Sequence, residues 1–155
     1  MSKSEQNARG NLILTAVLIF VLHVSWPPRM RAQQIANVTV VGLDYAYQVP
    51  ATIPAGLTAF AFENQGKVRH EVVIARLRAG ASLDSLIHSE PGPTRRRLVD
   101  NIVGILIAEP GTRPVGRLLV DLAPGQTYVL YCNFQDASDK PRHMAIGMVA
   151  SIQVK

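Results

Sequence analysis

The chain has 155 residues, 48% of them hydrophobic, which is enough for one domain with a hydrophobic core and too little for two. Its net charge of +5 does not indicate a nucleic-acid-binding protein, because the one basic run, RRR at 95–97, has no interleaved aromatic residues to stack on bases. We interpret that run as a solvated loop or helix face.

The first 32 residues have the layout of a secretory signal. Lys3 and Arg9 precede the apolar run LILTAVLIFVL, and Ala32 is a small residue at a plausible cleavage point, although Met30 is larger than such a site prefers. The apolar stretch is about 15 residues, whereas a membrane-spanning helix needs roughly 20. The sequence therefore favours cleavage, and the alternative is that the segment is retained as a membrane anchor. Either way it predicts an exported protein, periplasmic or extracellular, that touches the membrane only through this segment.

Residues 1–32 contain 4 of the 16 basic and 1 of the 11 acidic residues. Without them, 12 basic and 10 acidic residues remain, and the net charge falls to +2. Export also places the single cysteine, Cys132, in an oxidising compartment where it has no partner for a disulfide. The thiol therefore belongs to the core, to a metal site, or to a reactive site.

The remaining residues, 36–155, predict a single domain of short strands separated by turn residues. The segments with strand patterns are NVTVVGL, ATIPAG, LTAFAFENQG, RHEVVIARL, RLLVDL, TYVLYC and MVASIQVK. GASLDSLIHSEPGP predicts one short helix, with Ser82 as its N-cap and Pro91 as its end. Residues 94–108 fit helix and strand equally, and we treat 79–116 as an irregular insertion. This pattern predicts an all-β, Greek-key β-sandwich.

Four possible metal ligands are expected at one end of this sandwich. Cys132 closes the strand TYVLYC, and His143 and Met148 precede the last strand, which is expected to lie beside it. His70 opens another strand. Two imidazoles and a thiolate with a weak axial thioether are the ligands of an electron-transfer copper site.

Each of these residues has an ordinary interpretation when it is taken alone. A single cysteine in a strand is most often a small buried hydrophobe, and a methionine such as Met148 or Met144 belongs by default to the core. His70 could lie at the surface, and His88, on the predicted helix, is expected to be exposed to solvent. Only the four residues taken together favour a metal site, because the few cysteine, histidine and methionine residues of the chain occupy the positions of this ligand pattern.

The pattern resembles the cupredoxin (blue, type 1 copper) family. NQGKVRH is similar to the segment that ends in the first histidine ligand of that family, and LAPGQTYVLYC, followed by a histidine, a methionine and a last strand, is similar to its C-terminal half. The resemblance covers roughly residues 37–155. It implies a cupredoxin-like sandwich that binds copper through His70, Cys132 and His143 as equatorial ligands and Met148 as the axial ligand.

Two features depart from the family pattern. Ten residues separate Cys132 from His143, whereas small plastocyanin-like members have two to four; copper nitrite reductases are similar in having a long interval. Glu71 follows the first ligand where the family often has Asn, so hydrogen bonding around the ligands that differs from the usual arrangement is expected. On a strand Glu71 points away from the face of His70, and we do not expect it to bind the metal.

The resemblance implies a monomeric electron carrier that cycles between Cu(I) and Cu(II) and has another protein as its redox partner. The alternative is a non-redox cupredoxin-like module that binds or handles copper without a copper–thiolate centre. An enzyme is not expected, because no Ser/His/Asp arrangement or carboxylate pair stands out and a copper oxidase needs further histidine clusters.

Overall fold

The computed structural model describes residues 34–155 of the chain, so the predicted leader lies outside the described residues. The elements of this part are, in order, β1 (Ala36–Leu43), β2 (Ala46–Gln48), β3 (Thr52–Ile53), β4 (Gly56–Asn64), β5 (His70–Leu77), α1 (Leu83–Ile87), α2 (Pro93–Leu98), β6 (Val99–Ala108), β7 (Leu118–Leu122), β8 (Thr127–Tyr131), a 3-10 helix (His143–Ile146) and β9 (Val149–Val154). Over 34–155, no helix has the length and apolar character needed to cross a membrane.

The strands form two sheets that pack face to face. One sheet has the order β2-β1-β4-β7, and the other has the order β3-β9-β8-β5-β6. β1 pairs in parallel with β4 and β3 in parallel with β9, while the remaining pairs are antiparallel. The predicted all-β sandwich with a helical insertion is confirmed.

The main core lies between the two sheets and follows the alternation of the strands. Its fully buried members include Val40, Phe60, Phe62, Ile74, Leu130 and Ile152. Burial of each such side chain contributes about 1.5–3 kcal/mol. A second apolar cluster covers the outer face of the five-stranded sheet, where Val73 and Ala75 of β5 pack with Leu86 of α1. Because the middle of β5 is buried on both faces, its residues 72–75, VVIA, form a continuous apolar run rather than an alternating pattern.

The insertion is more regular than the sequence predicted. Ser82 caps α1 as expected, since its hydroxyl accepts a hydrogen bond from the N–H of Ser85. Residues 94–108, left open above, divide into a second helix that starts at Pro93 and the ten-residue strand β6. Treating 79–116 as irregular was therefore wrong. The deciding contact is the antiparallel pairing of β6 with β5, which joins residues far apart in sequence, such as Ala108 and His70. A local sequence window does not contain both partners.

The pairing of β8 brings the candidate ligands to one end of the five-stranded sheet. β8 lies between β5 and β9 and is antiparallel to both, with Tyr131 opposite Val73 on one side and Val149 on the other. The start of β5 at His70, the residue after β8, Cys132, and the start of β9 therefore meet at the same end. The expectation that the last two strands are neighbours is confirmed.

Substituting Gly104 by alanine is expected to destabilise the fold. A Cβ atom at Gly104 would lie 2.4 Å from Cδ2 of Leu118 on the facing sheet, so Leu118 must shift. We expect Gly104→Ala to lower the free energy of unfolding by about 1–3 kcal/mol, measured by urea denaturation. Gly116→Ala is the control, because a Cβ there meets no atom within 4 Å. Equal midpoints for the two variants would contradict the packing described.

Candidate metal centre

Three potential ligands meet at the end of the sandwich defined above. His70 begins β5, Cys132 follows β8, and His143 begins the 3-10 helix that leads into β9. All three side chains are buried, and their ligand atoms lie within 4.8 Å of one another. The sequence predicted these residues, and the fold brings them together.

The donor atoms face one another at the spacing that a shared ion requires. Nδ1 of His70 lies 3.1 Å from Nδ1 of His143, and Sγ of Cys132 lies 3.5 Å from the same Nδ1. Nitrogen and sulfur atoms that share an ion at about 2.0 and 2.3 Å lie roughly 3–4 Å apart. Only one proton can lie between the two ring nitrogens, whereas a metal ion would satisfy all three donors. The residues therefore fit a metal ion.

Backbone hydrogen bonds close the long loop between the cysteine and the second histidine. The N–H of His143 donates to the carbonyl of Phe134 at 2.8 Å, and the N–H of Met144 donates to that of Cys132 at 3.0 Å. Met148 is buried; its N–H donates to the carbonyl of His143 at 2.9 Å, and its own carbonyl accepts from Cys132 at 3.2 Å. The ten inserted residues thus form a closed loop, and the axial role of Met148 stays a prediction.

Asp136 orients the ring of His143. Its Oδ1 lies 2.9 Å from Nε2 of His143, and its Oδ2 accepts a hydrogen bond from the hydroxyl of Tyr45 at 2.5 Å. The Tyr45 hydrogen bond, and then the one with His143, hold the pKa of Asp136 below its ordinary value, with burial opposing them. A carboxylate at Nε2 holds the ring proton there, so Nδ1 presents its lone pair to the site. No motif of the sequence pointed to this residue.

The thiol lies in an apolar setting with two backbone donors. Burial raises the pKa of Cys132, while hydrogen bonds from the backbone N–H groups of Glu71 and Phe134 lower it. The thiol is therefore protonated at neutral pH when no metal is bound, and metal binding must release that proton. The pKa of His70 is lowered, chiefly by burial and then by the nearby His143, so this imidazole is neutral and ready to bind.

The architecture is shared with several solved protein structures. An auracyanin from Roseiflexus castenholzii, solved after reduction with dithionite, is 21% identical, with a TM-score of 0.51 over 81% of this chain and 99% of that one. Auracyanin A from Chloroflexus aurantiacus, described as a "blue" copper protein, is 14% identical, with a TM-score of 0.52 over 79% and 100%. Reduced rusticyanin is 20% identical, with a TM-score of 0.50 over 81% and 82%.

The fold is that of the cupredoxins. No family model matches the sequence, and no curated protein matches it significantly. The cupredoxin architecture is thus evident from the three-dimensional structure.

Glu71 links the strand of the first histidine to the strand of the cysteine in this cupredoxin fold. Its side chain is 6% exposed, and Oε1 accepts a hydrogen bond from the N–H of Asn133 at 3.0 Å. Nη1 of Arg95 donates to Oδ1 of Asn133 at 2.8 Å, and Nη1 of Arg142 donates to the Asn133 carbonyl. Asn133 is therefore held at three atoms.

Arg95 corrects the interpretation of residues 95–97 as a solvated surface. Its residue exposure is only 8%, and its guanidinium also donates to the hydroxyl and the carbonyl of Ser89. Arg96 and Arg97 are exposed, as expected. A run of three arginines in a helix places its members on different faces, and only the side chain of the first is buried.

Two other sulfur or imidazole side chains lie away from the cluster. Met144 packs in the second apolar cluster with Val129 and Tyr131. It lies in the 3-10 helix with His143, and its expected place in the core is confirmed. His88 follows α1 and is exposed, which confirms the prediction for it.

Removal of the Asp136 carboxylate is expected to weaken metal binding. Asp136→Ala frees the ring of His143 to rotate and to change tautomer, and the loss of such a partner lowers metal affinity by about 10- to 100-fold. Competition with a chromophoric chelator measures the affinity. Asp139→Ala, in the same loop and exposed, removes the same charge and should change the affinity less than about twofold. Equal losses would show that only the charge of the loop matters.

Proposed function

We propose that the protein is a type 1 copper electron carrier that passes single electrons to or from another protein and catalyses no reaction of its own. The observation that carries this proposal is the convergence of Nδ1 of His70, Nδ1 of His143 and Sγ of Cys132 inside the protein. Two imidazoles and one thiolate are the equatorial ligands of an electron-transfer copper site. The likeness to auracyanin and rusticyanin in fold supports it.

Copper held at these residues would supply a one-electron Cu(I)/Cu(II) couple. The chain's own residues keep the ligand positions constant. Asp136 orients His143, Glu71 ties Asn133 to the strand of His70, and the backbone donors of Glu71 and Phe134 stabilise the thiolate. Ligands that do not move between the two oxidation states keep the reorganisation energy of electron transfer small.

Aromatic packing keeps water away from the site. The ring of Tyr45 meets that of His143 edge-on, with centroids 5.0 Å apart, and that of His70 at 6.1 Å. The hydroxyl of Tyr47 donates to the carbonyl of Glu71 beside the cysteine, and burial raises its pKa well above the ordinary value. Both tyrosines therefore stay neutral and close the site.

Two further parts of the proposal concern the setting of the protein. The layout of residues 1–32 supports export to the periplasm or the cell exterior, with the membrane reached only through that segment if it is retained. We propose that the exported domain is a monomer, because an electron carrier meets its partners through a free surface.

A non-redox copper-handling module is the second candidate. The complete burial of Cys132 favours it, because a buried thiol can serve as a small hydrophobe of the core. In that case copper would bind through imidazole alone. The two candidates differ in whether a copper–thiolate bond exists.

Cys132→Ser is expected to abolish the visible colour and the redox activity of the copper-loaded protein. The thiolate-to-copper transition produces the strong visible band, and serine cannot replace it. Copper loading at pH 8 should release about one proton in the wild type, measured by calorimetry in two buffers, and none from residue 132 in the variant. His70→Ala and His143→Ala should weaken binding or open the site to solvent. Identical visible spectra for the wild type and Cys132→Ser would support the non-redox module.

Met148→Leu is expected to keep the colour and raise the reduction potential. An axial thioether bond is long and weak, so it tunes the potential without producing the visible band. The matched control is Met144→Leu, at a buried methionine in the second apolar cluster, which should leave the potential unchanged and lower stability by less than about 1.5 kcal/mol. Voltammetry measures the potential. Equal shifts in the two variants would remove Met148 from the ligand set.

A further inference from the structure

A groove with a basic lining runs along the outer face of the five-stranded sheet, beside α2. Its volume is about 250 Å³. Arg95, Arg96 and Arg142 line it together with Tyr131 and Asn133. The guanidinium of Arg95 is buried and donates to Ser89 and Asn133, whereas Arg96 is exposed and Arg142 is half-buried. The positive charges of Arg96 and Arg142 at this small groove favour an anionic occupant.

The carboxylates near the groove do not neutralise it. The ion pairs found within 34–155 use other arginines, such as Arg69 with Glu109 and Arg113 with Glu63. Glu71 is the acid bonded to the groove's own network, through the N–H of Asn133. The carboxylate of Glu90 is exposed and near enough to act on Arg95 electrostatically, but it does not line the groove.

The inner wall of the groove is adjacent to the candidate copper ligand. Tyr131 and Asn133 are the covalent neighbours of Cys132, and Arg95 and Arg142 both donate to Asn133. A molecule bound in the groove would therefore contact the residues that directly precede and follow Cys132 in the chain. It would reach the site from the side of the cysteine, while the ring of His143 lies beneath Asp136 and Tyr45.

An apolar strip beside the groove indicates that the occupant is a protein. Ile102, Ile105 and Ile107 of the edge strand β6 are 49%, 49% and 41% exposed. They pair with Ala75, Val73 and Glu71 of β5, so all three point to the same outer face. An apolar strip next to charged residues is typical of protein–protein interfaces.

We propose that this surface, defined as the groove of Arg95, Arg96 and Arg142 with the strip of Ile102, Ile105 and Ile107, docks a redox partner protein whose contact face carries carboxylates. The proposal rests on the proposed copper function. Copper held at the candidate site would exchange one electron with the partner's redox centre, one centre being oxidised as the other is reduced with no atoms transferred, and Cys132 with its neighbours would lie between the two centres.

The cavity above His143 fits such a partner less well. It is larger, about 510 Å³, but its charges are mixed. Lys67 and Arg69 line it with Glu109 and Asp136, and Arg69 is already paired with Glu109. An acidic surface gains less from a wall that carries its own carboxylates.

The first test maps anion binding without electron transfer. Hexacyanochromate(III), a redox-inert paramagnetic trianion, is titrated into the full-length Cu(I)-loaded protein, and amide broadening is followed by NMR. Broadening centred on Arg96, Asn133 and Arg142 supports the proposal, and broadening centred on Lys67 and Arg69 overturns it. The mapping needs no copper–thiolate band, so its failure and the failure of the copper function are distinguishable.

The second test compares two arginines of equal charge. Oxidation of the Cu(I) protein by hexacyanoferrate(III) is followed by stopped-flow at low ionic strength. Arg96→Gln, in the groove, should slow the reaction about fivefold, and Arg117→Gln, exposed just before β7 on the other sheet, less than about twofold. Equal effects would mean that only net charge acts, and the proposal fails.

The third test uses a protein surface. Ferrous cytochrome b5, an acidic haem protein, is titrated into the Cu(I) protein and amide shifts are mapped. Shifts at Arg96 together with Ile102 and Ile105, which Arg96→Gln weakens severalfold, support docking at this surface. Shifts confined to the cavity above His143, or none at low ionic strength, overturn it.

Discussion

The antiparallel pairing of β8 with both β5 and β9 is the constraint on which the rest of the structure depends. It sets the start of β5, the end of β8 and the start of β9 at one end of the sheet, and the candidate ligands stand at those three points. A shift of one residue would turn the inner face of β8 outward. The buried layers on both faces of β5 and β8 make such a shift unfavourable, so the core between the sheets also fixes the geometry of the site.

Hydrogen bonds between side chains then fix the orientation of the ligand residues whose backbone positions the sheet determines. Asp136 holds His143 by the nitrogen that faces away from the cluster, and Tyr45 holds Asp136. Asn133 is held by Glu71 and Arg95. Through Arg95 of α2 the helical insertion contacts Asn133, the residue next to the cysteine.

The charges of the domain are distributed unevenly even though their sum is small. Arg69 and Arg113 sit in ion pairs, while the arginines around α2 face a groove behind the cysteine. Net charge alone therefore gave no indication of a docking surface. The proposed carrier has a buried redox centre, and two cavities of different charge lie next to it. The cavity at His143 has mixed charges, and the groove at Tyr131 and Asn133 is basic.

The sequence by itself determined seven of the nine strands, the sandwich and the set of soft ligands, because alternation and residue chemistry are local properties that can be read along the chain. His70, Cys132 and His143 were found that way. Only the tertiary structure decided that 94–108 becomes a helix and an edge strand, that Arg95 is buried, and that Asp136 contacts His143. Each of these depends on a partner distant in sequence: β5 for β6, Asn133 for Arg95, and Tyr45 for Asp136. Long-range pairing supplies the free energy that selects among locally equivalent conformations, and no local window contains it.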